Sequence, residues 1–127
     1  MKCLVVDASP VMRRIFANVL RRVGCDEVVE MEDGRRAIEL ADAGTDLVIT
    51  AWNMPGMGGL EMTKRLRENA ATSSVRVIMV TPRNTRDDVL QAIEAGVNGY
   101  VLKPFRLEVL QERVEQLLRR DEERAAA

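Results

Sequence analysis

LVITAWNMPGMGGL, residues 47–60, decides how this chain is to be read. Its first four residues are apolar or β-branched, the mark of a short buried strand. The run then breaks into a loop holding Pro55 and the glycines Gly56, Gly58 and Gly59. Loops at the carboxyl ends of strands are where α/β proteins hold their ligands. Yet from Leu47 to Leu60 there is no acid, base, cysteine or histidine. The loop has the position of a reactive site and no reactive group.

The same alternation extends to both sides. Lys2–Val6, Glu27–Met31, Asp46–Thr50, Val75–Val80 and Asn98–Leu102 read as five strands. Between them lie amphipathic stretches. Met12, Ile15, Phe16, Val19, Leu20 and Val23 recur at helical steps, with Ser9 as N-cap, Pro10 in the first turn and Gly24 as stop. Asp33 caps a second helix carrying Ala37, Ile38 and Ala41, and Gly44 follows it. A third runs Gly59–Asn69 with Leu60 and Leu66 inward. In a fourth, Thr85 and Asp88 resemble a capping box with a shorter acid. Val89, Ala92, Ile93 and Ala95 face its core side, and Gly96 ends it. Leu107, Leu110, Val114, Leu117 and Leu118 mark the fifth. Strands alternating with helices imply an α/β fold, a doubly wound parallel sheet covered on both faces. The order 2-1-3-4-5, flavodoxin-like, is one of the two common arrangements. The chain is read as one domain over residues 1–120, with a frayed polar tail at 121–127.

Composition excludes several functions. A net charge of −1 gives no case for nucleic acid. No apolar run is long enough to span a membrane, and MKCLVVDASP turns acidic too soon for a signal peptide. The expected location is cytoplasmic. With no histidine, a Cys/His zinc site and histidine acid–base chemistry are both out. Cys3 and Cys25 read as small buried apolar residues rather than a disulfide in a reducing compartment.

The strand ends narrow the chemistry. A phosphate-binding P-loop needs a lysine closing its glycine-rich turn, and the loop after the third strand has none. A dinucleotide fingerprint needs glycines after the first strand, where this chain reads VDASPVM. No G-x-S-x-G elbow occurs. What remains is Asp7, Thr81 and Lys103 on three different strand ends. They suit a phosphoryl or carboxylate guest, or simply a local Asp7–Lys103 ion pair, and pattern alone favours the pair.

At these residues the chain resembles the receiver domain of bacterial response regulators, most closely the stand-alone chemotaxis (CheY-like) type. The matching stretches are LVVDASPVMRRI, EDGRRAIE, VITAWNMPGMGGLE, IMVTP and GYVLKPF, in order and at the right spacing. The resemblance implies an aspartate phosphoacceptor at the end of strand three, where this chain has Ala51. It implies a Mg²⁺-binding acid pair after strand one, where this chain has Asp7 and Ala8. It implies a metal-ligating carbonyl at Asn53, a phosphoryl-bonding hydroxyl at Thr81, a pairing lysine at Lys103 followed by a cis peptide bond to Pro104, and an aromatic switch at Tyr100. Pro82 stands where a backbone N–H commonly holds the phosphoryl group, and proline has none. Gly58 stands where an acid is frequent.

The expectation is therefore a degenerate receiver: a phosphorylation-independent interaction module with no catalytic residue, no enzymatic role and no Mg²⁺. Asp7 is the only family-type acid left beside Lys103, and Mg²⁺ sheds water reluctantly for so poor an oxygen set. Thr50, Ser9, Asp87 and Asp88 are not expected to substitute as acceptors. The expected partner is a protein: a histidine kinase, a chemotaxis component or an output protein. It would meet a face made of Arg86, Val89, Ile93, Asn98, Tyr100, Leu102 and Arg113, with the chain a monomer or weak dimer. Two alternatives stand beside this. One is an ordinary phosphoswitch represented by an inactivated variant. The other is a small anion held beside Lys103 in the vacated pocket.

Overall fold

The structure is a computed structural model that describes residues 1–119 and the course of the last helix to Ala126. The fraying expected over 121–127 falls outside the residues it describes in full. The elements run β1 (Lys2–Val6), α1 (Pro10–Arg22), β2 (Glu27–Met31), α2 (Gly34–Leu40), β3 (Thr45–Thr50), α3 (Gly59–Glu68), β4 (Arg76–Thr81), α4 (Arg86–Ala95), β5 (Gly99–Leu102) and α5 (Leu107–Ala126). The strands form one parallel sheet in the order β2-β1-β3-β4-β5. This is the doubly wound, flavodoxin-like arrangement expected.

Strand period two distributes the core. Cys3, Val5, Leu47, Ile49, Ile78, Val80 and Val101 pack with Phe16, Leu20, Leu110 and Val114 of α1 and α5. Leu4, Val6, Val48 and Val77 pack on the other face with Ala37, Met62 and Leu66 of α2 and α3. A smaller cluster joins Trp52, Met79 and Ala92, with Leu60 and Tyr100 against it. Near-continuous apolar strands follow from burial on both faces.

The caps hold in detail. Ser9 Oγ accepts from the Met12 N–H (3.3 Å) and Asp33 Oδ1 from the Arg35 and Arg36 N–H groups (2.9 and 3.1 Å). Thr85 Oγ1 accepts from the Asp88 N–H (3.1 Å), but the Asp88 carboxylate turns to Arg83, so only half of the expected capping box forms. Strand four begins at Arg76 rather than Val75, whose N–H donates to the Thr72 carbonyl in the preceding turn (3.2 Å).

Three inward assignments need correction. Ile93 is 59% exposed. Successive residues of a helix are about 100° apart, so a stripe centred on Ala92 and Ala95 leaves Ile93 roughly 130° away and Val89 on the flank. Leu60 is only half-buried, Met62, Thr63 and Leu66 being the inner face of α3. Leu107 is 43% exposed, before the inner row of α5 begins at Leu110.

Cys3 and Cys25 are free and buried. Cys25 Sγ donates to the Met1 and Glu27 carbonyls (3.3 and 3.4 Å). Burial, with help from the neighbouring Cys25, pushes the Cys3 thiol well above its ordinary value. The folded chain then keeps a proton that the unfolded chain releases. Stability is thus fully present below the ordinary thiol range and falls as pH rises beyond about 8.5, by up to ~1.4 kcal/mol per pH unit. Urea midpoints between pH 7 and 10 check this, against a Cys3→Ala control whose decline should be shallower.

Candidate functional site

Parallel strands bring Asp7, Ala51, Thr81 and Lys103 to one edge, although they lie far apart in sequence. Backbone bonds fix their heights. The Asp7 N–H donates to the Met31 carbonyl (3.1 Å), Ala51 to Val6 (2.9 Å) and Lys103 to Thr81 (2.9 Å). The Lys103–Pro104 bond is cis.

Lys103 Nζ lies 3.7 Å from Asp7 Oδ2. Asp7 is 5% exposed. Its Oδ1 accepts from the Ser9 N–H (2.8 Å), while Oδ2 is buried without a hydrogen-bond partner. A charge removed from water needs a partner, and Lys103 is the cation at hand. The local ion pair that pattern alone favours is thus the arrangement found. Ala51 is nearly buried and Ala8 exposed; neither brings an oxygen on its side chain. Among the described residues no three acids, cysteines or histidines cluster as a metal would need. Asn53 is exposed, Pro82 is exposed, and Thr81 is buried with Oγ1 accepting from the Arg83 N–H (3.2 Å).

The loop of residues 51–58 is held by its glycines through close backbone approach. The Gly59 N–H donates to the Trp52 carbonyl and the Gly34 N–H to the Met57 carbonyl, both at 2.9 Å. A Cβ on Gly58 would sit 2.8 Å from the Trp52 carbonyl oxygen. The loop's glycines answer to packing rather than to a phosphate cradle.

Arg83 is the residue that sequence reasoning misses. Its guanidinium lies 4.6 Å above the Trp52 ring. It reaches Asn53 Oδ1 and Asp88 Oδ1, each at 3.4 Å. Its carbonyl accepts from the Tyr100 hydroxyl (2.7 Å). A loop cation two residues past a strand carries no periodic signal. Burial, chiefly, and the nearby Asp88 raise the Tyr100 phenol above its ordinary value.

The expected partner face is brought together in part. Arg86, Ile93, Leu102 and Arg113 are exposed, and Val89 and Tyr100 half-buried. Leu90 and Val109, both 44% exposed, add to it unforeseen. Asn98 is exposed too, but its Oδ1 is already engaged, accepting from the Val77 N–H and from Arg67 Nη2, both at 2.8 Å.

Comparison with known proteins places these features. Residues 3–115 match the family described as response regulator receiver domain. The chain is 44% identical over 120 residues to chemotaxis protein CheY1 of Helicobacter pylori, covering 93% of this chain and 97% of that protein. It is 41% identical over 121 residues to chemotaxis protein CheY of Pseudomonas aeruginosa, covering 94% and 98%. Among solved structures, the BeF3-activated DrrB receiver domain superposes with a TM-score of 0.83 at 26% identity, covering 93% of this chain and 97% of that one.

Proposed function

The chain belongs to the response regulator receiver domain family, and is of the CheY-like kind that serves two-component and chemotaxis signalling; from that premise we propose that it is a degenerate receiver, a phosphorylation-independent protein-interaction module. The observation that carries this is Ala51 at the end of β3, beside an Asp7 already occupied by Lys103. A methyl group cannot attack a phosphoryl donor, so no acyl phosphate forms at this position. The residues do not fit the family's Mg²⁺. The ion wants an octahedral shell of oxygens, and here one carboxylate faces one ammonium at 3.7 Å, a local charge near zero. On this reading the chain is no enzyme and needs no cofactor. It works in the cytoplasm as a monomer or weak dimer.

The partner is a histidine kinase, a chemotaxis component or an output protein, docked on α4, β5 and α5. Exposed Leu90, Ile93 and Leu102, rimmed by Arg86 and Arg113, support that choice of face. No helix among the described residues is long and apolar enough to cross a membrane.

A second reading has an observation of its own. Thr81, Tyr100, Lys103 and the cis bond to Pro104 persist around the missing acids. That pattern favours an ordinary aspartate switch of which this chain is an inactivated variant. A small anion beside Lys103 is less favoured, because the Asp7 carboxylate already faces that ammonium and would repel it.

The test follows Trp52 fluorescence during titration with Mg²⁺ and then beryllofluoride. The control chain carries Ala8→Asp and Ala51→Asp together. No response here and a saturable response in the control are expected. Without Mg²⁺ the control should also melt lower than this chain, because like charges are crowded at one site, and Mg²⁺ should restore it. A saturable response of this chain to either reagent overturns the proposal.

A further inference from the structure

One residue links the vacated acceptor loop to the partner face. The Arg83 N–H donates to Thr81 Oγ1 (3.2 Å), and the Arg83 carbonyl accepts from the Tyr100 hydroxyl (2.7 Å). Both groups that a receiver would reset on phosphorylation are therefore bonded to the same backbone unit. The side chain of that unit runs back over the acceptor loop. It covers the Trp52 ring at 4.6 Å and reaches Asn53 Oδ1 at 3.4 Å. Asp88, in the first turn of α4, receives the other arm of the guanidinium, also at 3.4 Å.

The contacts are individually modest. Bonds of 3.4 Å lie beyond the usual 2.7–3.2 Å range. The Nε of Arg83 is buried with no hydrogen-bond partner, although a guanidinium has five donors to place. What favours the arrangement is the ring beneath it: an arginine over a tryptophan face is attracted by the ring quadrupole. In an ordinary receiver a bound phosphoryl group would join the acceptor loop to Thr81. Here Arg83 joins the same two segments through its own backbone and side chain.

We propose that Arg83 is a positioning residue that latches the β4–α4 loop onto Trp52 and Asn53, and so holds Thr81 and Tyr100 in one arrangement without phosphorylation. This deepens the reading of the chain as a phosphorylation-independent module and rests on it. The state of the partner face is then set by a side chain, and any partner or ligand that displaces Arg83 from Trp52 changes Tyr100 as well.

Tyr100 and Trp52 are the only tyrosine and the only tryptophan, so each reports alone. The chain is labelled with 3-fluorotyrosine and its ¹⁹F resonance followed without Mg²⁺ or any phosphoryl mimic. Arg83→Ala is expected to shift the Tyr100 line and change Trp52 emission. Asn53→Ala removes only the exposed anchor, since the Asn53 side chain bonds to Arg83 and not to Thr81 or Tyr100. It should move the Tyr100 line in the same direction by a smaller amount, and should have no further effect when added to Arg83→Ala. Arg83→Lys, which keeps the cation but not the fork, should fall between. A merely structural loop residue would not make the effect of Asn53→Ala depend on Arg83. If Asn53→Ala leaves the Tyr100 line in place, or moves it equally with and without Arg83, the latch is wrong. Because no metal or beryllofluoride is present, that failure is separate from a failure of the titration described above.

Discussion

Arg67→Ala is expected to lower stability by about 3–4 kcal/mol, since charge-assisted hydrogen bonds contribute ~1.5–3 kcal/mol each and are not additive. Arg67 Nε and Nη2 donate to the Gly96 carbonyl (3.2 and 2.7 Å), Nη1 to the Ser73 and Val75 carbonyls (3.1 and 2.6 Å), and Nη2 also to Asn98 Oδ1. One guanidinium therefore ties α3 to the end of α4, the start of β4 and the residue before β5. Burial, and secondarily the charge of Arg76, hold its pKa below the ordinary value, yet an arginine remains charged there. Removing it leaves the part-buried bonds to the Gly96 and Val75 carbonyls unmade. Arg67→Lys should recover less than half of the loss, because a single ammonium cannot span carbonyls held by a planar fork. Urea denaturation with an unchanged m-value is the measurement. A loss below about 1 kcal/mol, the net contribution of a single ordinary hydrogen bond, would sink the assignment.

Gly59→Ala should be as damaging, by about 3 kcal/mol, the upper part of the range for forced overpacking. On propensity alone the change should help, since alanine exceeds glycine in a helix by ~1 kcal/mol. The surroundings reverse the sign. A Cβ on Gly59 would overlap the Ala51 carbonyl oxygen and lie 2.9 Å from Thr50 Oγ1. Neither can withdraw cheaply: one is backbone, and Thr50 Oγ1 is bonded to that same carbonyl at 2.9 Å. The helix start must move, and with it the Gly59 N–H bond to Trp52. Trp52 emission should therefore change in parallel with stability. Gly44→Ala is the contrast, its nearest neighbour being Asp42 Oδ1 at 3.3 Å, and it should stay within ~0.5 kcal/mol of the parent, as surface substitutions usually do. Equal stability of Gly59→Ala and the parent would refute the close approach.

The loop of residues 51–58 owes its shape to these close approaches. Its glycines let α3 start directly against the end of β3, which sets the height of Ala51 at the sheet edge. A tightly built loop and the absence of a reactive side chain between Leu47 and Leu60 are thus compatible, as the proposal of a degenerate receiver requires.

The elements themselves were legible because their signals are local. Apolar runs, the caps Ser9, Asp33 and Thr85, and the stops Gly24 and Gly96 each act within a few residues, so the order of strands and helices follows from the chain alone. Right-handed crossovers then leave few sheet orders, of which 2-1-3-4-5 is one of the two common ones. The Asp7–Lys103 pair was anticipated too, since both residues end strands that the order brings to one edge. Strand boundaries shift by a residue, as at Val75, Thr45 and Asn98, because hydrophobic patterning marks the middle of an element better than its ends.

The tertiary structure decided what lies on the far side of each side chain. Helical spacing says that Ile93 and Ala92 point apart, but not which of them meets the sheet; packing against Met79 and Trp52 chose the smaller one. Nothing around Arg67 or Arg83 distinguishes them from the chain's other arginines, because their partners are 29 to 31 residues away for Gly96, Asn98 and Asn53. Nor does a glycine in sequence tell whether a carbonyl or open solvent stands where its Cβ would be. Periodicity reports a side chain's direction relative to its own element. Which groups meet across elements depends on chain segments converging, and that is settled only when the sheet and its helices close around one core.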